Sequence, residues 1–220
     1  MNAMLKIEVV SDVACPWCAV GVHALGKALD TLAAEGVAFE LSFQPFELNP
    51  DMPPEGQAIG PYLAEKYGID EAQIRRNQAL LRERGAAVGF AFGERGHVWN
   101  TFDAHRLLHW AGAEGPAGAQ HALALALLQS YHGAGRNPSD AAVLLDATAQ
   151  AGLDVERARA LLGSDEFASD VRAEQVAWME AGIDSVPSVV VNRRHLIPGA
   201  QEPEVFAREL RRLAAEAPAA

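Results

Sequence analysis

The sequence predicts an α/β chain: a small mixed β-sheet with flanking helices, interrupted along the chain by a large all-helical insertion. Three observations carry this. A β-branched run at Leu5–Val10 leads through Ser11-Asp12-Val13-Ala14 into a helical pattern opening at Cys15-Pro16-Trp17-Cys18. A second alternating run, from Val37 to Phe46, follows that helix, and a strand, turn and strand return at Ser188. The long stretch between has the three-and-four spacing of amphipathic helices, broken repeatedly by Gly and Pro.

Taken in order, Leu5–Val10 reads as a buried strand. From Trp17 to about Ala34 the apolar residues Val22, Leu25, Leu29 and Leu32 recur at helical spacing, and Gly36 closes the helix. Pro16 suits its first turn, where a missing N–H has no helical partner to lose. In the run from Val37 to Phe46, Phe39, Leu41 and Phe43 alternate with Glu40, Ser42 and Gln44, as in a half-buried strand. Strand, helix and strand imply a right-handed crossover. After the Pro-rich break at Leu48–Pro54, Asp70 and Gln73 form a candidate capping box for a helix carrying Ile74 and Leu81. Further helices are expected at Thr101–Ala111, Ala119–Tyr131, Ser139–Gln150, Val155–Leu162 and Glu166–Ala181, with Gly85, Gly89, Gly93 and Gly96 marking one mobile loop. Trp99, Trp110 and Trp178 are expected to fill the insertion's interior, and Leu123–Leu128 to be core. Ser188–Val191 and His195–Ile197 form a hairpin that breaks at Pro198-Gly199, before a last helix with Phe206, Leu210 and Leu213 on one face. Residues 1–52 and 183–220 thus make one discontinuous unit, and 53–182 the inserted helical subdomain.

Composition narrows the function. Half the 220 residues are apolar and 21% are charged, an ordinary globular balance that excludes disorder, collagen and coiled coil. Eighteen basic against twenty-nine acidic side chains leave a net charge of −11, which repels nucleic acid and anionic membrane. The start, Met1–Val10, lacks the basic and long apolar regions of a secretory signal, so a cytoplasmic location is expected. Oligomeric state is not encoded in any pattern here.

The two cysteines, both in Cys15-Pro16-Trp17-Cys18, cannot form a disulfide framework for the chain. At a helix N-terminus, unpaired N–H groups and the positive end of the dipole favour a thiolate, and Cys15 occupies that position. Cys18 lies one turn further in on the same face, more buried, and can resolve a mixed disulfide by intramolecular attack. Both are therefore candidate catalytic residues, with Trp17 presenting an apolar surface beside the sulfurs. Asp12 is read first as a turn or capping group at the strand exit and second as a proton acceptor for Cys18. A Cys-x-x-Cys pair is also half of a zinc site, but only His105 and His109, at i and i+4, are placed to complete it, and the strand-to-helix context favours redox chemistry over metal. His23, His97, His121, His132 and His195 read as surface or packing residues.

The motif Cys15-Pro16-Trp17-Cys18 after Asp12, the segments Phe43–Pro50 and Asn100–Leu107, the turn Gly182–Ser188 and Ile197-Pro198-Gly199-Ala200-Gln201 together resemble the DsbA family of thioredoxin-fold oxidoreductases, and within it the FrnE-like branch. The resemblance spans almost the whole chain. It implies a thioredoxin-like fold and thiol–disulfide exchange through the Cys15/Cys18 pair, with no cofactor beyond the redox-active cysteines. Glutathione or another low-molecular-weight thiol is a candidate co-substrate, and the partner is a thiol or disulfide, protein or small molecule. The resemblance further implies a cis peptide bond at Val186-Pro187, opposite the cysteines, with Val186 offering its backbone to the substrate. It also places the helix carrying His105 over the site. Pro16, Trp17, Val186 and Pro187 are accordingly candidate substrate-binding residues, with Asp12 and His105 as auxiliaries. The best-known DsbA proteins have His where Trp17 stands, and some FrnE-like proteins carry a second cysteine pair that this sequence lacks.

Two other functions fit the same architecture. Glutathione transferases of the kappa class and 2-hydroxychromene-2-carboxylate isomerases use a Ser where Cys15 stands and perform no redox step. A redox-independent holdase would work without either cysteine, using the insertion's surface.

Overall fold

The computed structural model describes residues 4–53 and 55–216. Strand β1 (Leu5–Ser11) runs into helix α1 (Pro16–Ala34), and β2 (Phe39–Pro45) returns parallel to β1, pairing Ile7 with Leu41 and Val9 with Phe43. A two-residue ladder joins β3 (Gln57–Ala58) to β4 (His97–Val98), enclosing α2 (Ile59–Tyr67) and α3 (Glu71–Val88). Then come α4 (Phe102–Glu114), α5 (Ala119–Leu128), α6 (Ala141–Gln150), α7 (Val155–Leu162) and α8 (Ala168–Glu180). The chain closes with β5 (Ser188–Val191), β6 (His195–Pro198) and α9 (Pro203–Glu216). The four-stranded sheet has the order β2-β1-β5-β6, with β5 antiparallel to both β1 and β6. This is a mixed sheet with a helical insertion, in a thioredoxin-like arrangement.

Alternation on β1 sorts its side chains onto two faces, both covered. Leu5, Ile7 and Val9, with Val189 and Val191 of β5, join Leu25 and Leu29 of α1 and Phe206 and Leu210 of α9 in one core. That core continues without a break into the insertion through Leu107, Leu127 and Leu144, so the division made by the chain's path is not a division in packing. Val10 and Val190 face the other way, against Trp178 and Ile183. Trp178 therefore covers the sheet rather than filling the insertion, because α8 ends beside β2 and β5. Among the described residues no helix is long and apolar enough to cross a membrane.

Local signals explain the helix ends and also where the sequence reading departs. Asp70 caps α3 by accepting from the Gln73 N–H at 2.7 Å, but Gln73 turns its own side chain to Asn77 and Arg76, so only half of the capping box forms. Gly85 lies inside α3 and Gly89, at φ 86°, ends it, so of the four glycines read as one loop only Gly93 and Gly96 fall in the segment beyond the helix. The helix read as Ala119–Tyr131 is regular only to Leu128 and continues as a π turn, Gln129–Gly133. Helix α2 escaped the sequence reading because Gly60-Pro61 resembles a break, whereas Pro61 sits in the first turn, where its missing N–H costs nothing.

Helix α1 can lie against the loop before β5 because residue 21 has no side chain. A Cβ there would stand 2.8 Å from Pro187 Cγ and 3.5 Å from Ala200 Cα. Gly26, in the same helix, has nothing within 4 Å of its Cβ position. Gly21→Ala should therefore lose about 1–3 kcal/mol through overpacking. Gly26→Ala should gain roughly 0.5–1 kcal/mol from helix propensity. Urea denaturation of the two variants checks the contrast, and equal midpoints would contradict the close packing of α1 on Pro187.

Candidate functional site

The site is made where β1 hands the chain to α1. Asp12 accepts from the Ala14 N–H through Oδ1 at 2.9 Å, and its carbonyl accepts from the Cys15 N–H at 3.1 Å, which turns the chain tightly. Cys15 then occupies the N-cap position of α1 with extended backbone (φ −84°, ψ 115°), and Pro16 opens the helix. The N-cap side chain is the one that faces the unpaired N–H groups of the first turn. Cys15 is 5% exposed and Cys18, one turn further in, is fully buried; both are free thiols.

These positions separate the two sulfurs electrostatically. The Cys15 pKa is lowered, first by a hydrogen bond from the Cys18 thiol and then by the backbone N–H groups of Cys18 and Trp17, against burial and the charge of Asp12. Cys18 is pushed well up, by burial first and then by donating to Cys15 and by the charge there. The sequence reading credited the helix terminus alone; the Cys18 thiol adds to it as a second donor, because a thiolate in a site this dry depends on every donor within reach.

Opposite the pair, the Val186-Pro187 peptide bond is cis, and the Cys15 thiol lies 3.6 Å from the Val186 carbonyl oxygen. Val186 is half-buried and packs against both sides of the sheet, while the Pro187 ring rests over Gly21. Pro16 and Trp17 are half-buried at the mouth of a cleft of about 420 Å³ that also holds Cys15 and is walled by α2, α3 and β4.

Asp12 does more than turn the chain. Only 1% exposed, it accepts from the Thr101 hydroxyl at 2.7 Å, the Leu48 N–H at 2.7 Å and His105 Nε2 at 3.4 Å, besides Ala14. Burial alone would push its carboxyl up, but the His105 bond and charge and the two backbone N–H groups bring it below the usual range. His105 thus reaches the site through Asp12 rather than by touching a sulfur. His109 points elsewhere, with Nδ1 3.2 Å from Glu174, so the two histidines do not converge on the cysteines. No cluster of three or more metal-ligating side chains occurs among the described residues.

One residue read as surface or packing belongs to this layer. His132, fully buried on the π turn, holds the Val13 carbonyl through Nε2 at 2.8 Å, and burial, aided by the charge of Arg95, keeps its ring neutral well below the ordinary histidine range. Its Nδ1 has no partner among the described residues. The signal was present: His132 follows Leu128 by four residues on an apolar stripe, where a polar ring must find a buried acceptor.

If the Cys18 thiol is the main support of the Cys15 thiolate, Cys18→Ala should titrate Cys15 at higher pH than Cys18→Ser, which retains a hydroxyl donor. Thiolate absorbance against pH in the two reduced variants reads this directly, and coincident curves would assign the depression to the backbone N–H groups instead.

Comparison with known proteins agrees with the geometry. Residues 6–211 match the DSBA-like thioredoxin domain family. A probable DsbA oxidoreductase from Streptomyces coelicolor is 33% identical and superposes with a TM-score of 0.87, over 98% of this chain and 92% of that one. At the level of fold, a 2-hydroxychromene-2-carboxylate isomerase superposes with a TM-score of 0.73 at 13% identity, covering 96% of this chain and 97% of its own. The cytosolic disulfide reductase DsbM from Pseudomonas aeruginosa, solved with GSH, does so with a TM-score of 0.64 at 17% identity, over 96% and 99%. With the family pattern running through both sheet segments and the whole insertion between them, this chain belongs to the DSBA-like thioredoxin domain family.

Proposed function

We propose that the protein is a thiol–disulfide oxidoreductase of the DsbA type, closest in character to the FrnE-like branch, in which Cys15 attacks and Cys18 resolves. The observation that carries this reading is the placement of two neighbouring thiols: Cys15 stands at the N-cap of α1 at the mouth of a cleft, where its pKa is lowered, and Cys18 is buried one turn behind it, where burial pushes its pKa up. The Cys15 thiolate attacks a substrate disulfide, forms a mixed disulfide and releases one substrate thiolate. That bond removes the negative charge from Cys15, so the repulsion that helps keep Cys18 protonated disappears as Cys18 is needed as a nucleophile. Cys18 then loses its proton and attacks the Cys15 sulfur, giving the internal disulfide and the second substrate thiol. The same steps in reverse oxidise a dithiol.

Val186 and Pro187 would bind the substrate beside Cys15, a reading supported by the Val186 carbonyl 3.6 Å from the Cys15 sulfur, which makes it an acceptor at that point. Asp12 and His105 act as auxiliaries that set the charge near both thiols. Glutathione or another low-molecular-weight thiol would serve as co-substrate. A second reading, a glutathione-dependent isomerase or transferase that needs no redox step at Cys15, draws on the likeness in fold to the 2-hydroxychromene-2-carboxylate isomerase and on the small cleft.

Cys15→Ser should abolish reduction of insulin or of a small disulfide, whereas Cys18→Ser should accumulate a covalent adduct with the substrate, visible by intact mass. Equal trapping by both variants would overturn the assigned roles. Isomerase turnover surviving in Cys15→Ser would favour the second reading.

A further inference from the structure

The cleft beside Cys15 differs in charge from the molecule's other clefts. No Asp or Glu lines it, in a chain with twenty-nine acidic residues. Four other surface clefts each contain at least one carboxylate: Glu83, Glu202 and Glu204 in one, Glu40 and Glu174 in another, Glu174 again in a third, and Glu94 in a neighbouring cleft that shares Arg95 with this one. Much of its lining is aromatic or aliphatic, with Trp17, Tyr62, Tyr67, Ile59, Ile74 and Leu81 among it, beside the amides of Asn49, Asn77 and Gln78.

One cation lines it. Arg95 is half-buried, with its guanidinium carbon 5.1 Å from the centre of the Tyr131 ring, and it forms no ion pair with a carboxylate among the described residues. The neighbouring polar groups are already engaged: Tyr62 donates to Asn49 Oδ1 at 2.7 Å, and Lys66 donates to Leu48 O at 2.7 Å and to Asn49 Oδ1 at 2.6 Å. Asn77 and Gln78 also line the cleft, but Arg95 is the charged group in its lining and so the one that can pair with an anion, held near its place by the Tyr131 ring. In a protein of net charge −11, a cation beside the thiolate offsets the repulsion that an approaching anion meets.

Resting on the exchange chemistry above, we propose that this cleft selects small disulfides and thiols with a flat apolar body and one carboxylate. The body lies against Trp17, Tyr62 and Tyr67, the carboxylate pairs with Arg95, and the substrate sulfur faces Cys15. A volume of about 420 Å³ holds an aryl group of this kind. Glutathione, a tripeptide thiol with several charges, would leave most of them unpaired against apolar walls, so of the low-molecular-weight thiols open to the exchange it would be a slower co-substrate than an aryl carboxylate. The full reaction with such a disulfide, R–S–S–R, transfers two electrons. Cys15 thiolate displaces RS⁻ and forms Cys15–S–S–R, then Cys18, on losing its proton, displaces the second RS⁻ from the Cys15 sulfur. The released thiolates and solvent take up the protons.

A matched pair of probes tests the selection: dithiodibenzoate and its uncharged diamide, which share a shape and differ in charge. The rate of each with the reduced protein is divided by its rate with a free alkyl thiol at the same pH. The expected result is a normalised preference for the carboxylate of roughly 10- to 100-fold, the range of a charge-assisted hydrogen bond, shrinking as salt is added. Arg95→Gln should collapse the preference towards unity, and Arg95→Lys should restore part of it. Absence of preference in the wild type, or an unchanged preference in folded Arg95→Gln, overturns the proposal. So does faster normalised reaction with oxidised glutathione or with a peptide disulfide, the latter pointing to protein substrates. If instead neither probe reacts faster than with the free thiol, or Cys15→Ser reacts as well as the wild type, the exchange reading itself has failed.

Discussion

The site depends on one buried carboxylate. An ionised Asp removed from water costs several kcal/mol unless donors replace the solvent. Asp12 finds four: two backbone N–H groups, a hydroxyl and an imidazole. They come from the cysteine loop, from the segment after β2 and from the start of α4, so the carboxylate can be satisfied only when all three are in place. Thr101, which precedes α4, does not cap that helix with its hydroxyl because Asp12 takes the bond. Since the folded pKa of Asp12 lies below its unfolded value, this contribution to stability is complete above the ordinary Asp range and is lost as pH falls through the folded pKa.

The same charge opposes the chemistry it supports. Asp12 raises both thiols, so the low pKa of Cys15 is reached despite it, through the Cys18 thiol and the N–H groups of the first turn. The arrangement is a balance between a carboxylate that fixes the loop and donors that answer its field. His132 enters on the structural side. By holding the Val13 carbonyl it fixes the peptide next to Asp12, and as a buried neutral ring it adds no charge of its own.

Much of the sheet half was legible because its elements satisfy local and global demands together. Val22, Leu25, Leu29 and Leu32 face the core as their spacing predicts, and Ser188–Val191 with His195–Ile197 pair across a three-residue turn. Cys15 and Cys18 could be placed on the first turn of a helix because Pro16 and the preceding strand leave little else. The rest depended on contacts distant in sequence. Nothing local in Asp12 marks it as a partner of Leu48, Thr101 and His105, and the turn reading was correct for Ala14 while missing the other three. Arg95 stands between Glu94 and Gly96 in what reads as an exposed loop; only the packing of Tyr131 beneath it gives it a fixed place.

The division of labour follows the path of the chain. The sulfurs, the Pro187 turn and Gly21 beneath it belong to the sheet segments and are locked by backbone geometry and close packing, where a single added methyl group meets a ring. The cleft walls come mainly from α2, α3 and β4, whose side chains meet the site across an open space and are free to differ without disturbing the thiols. Asp12 joins the two by binding Leu48, which itself lines the cleft, and α4 beyond it. Substitutions that alter which molecule is accepted should therefore cluster on α2, α3 and the segment around Arg95 that leads into β4, whereas those that alter sulfur reactivity must act through Asp12 or the first turn of α1. A fold built this way can change its substrate while keeping its exchange chemistry, because the two are held by different residues and meet at one carboxylate.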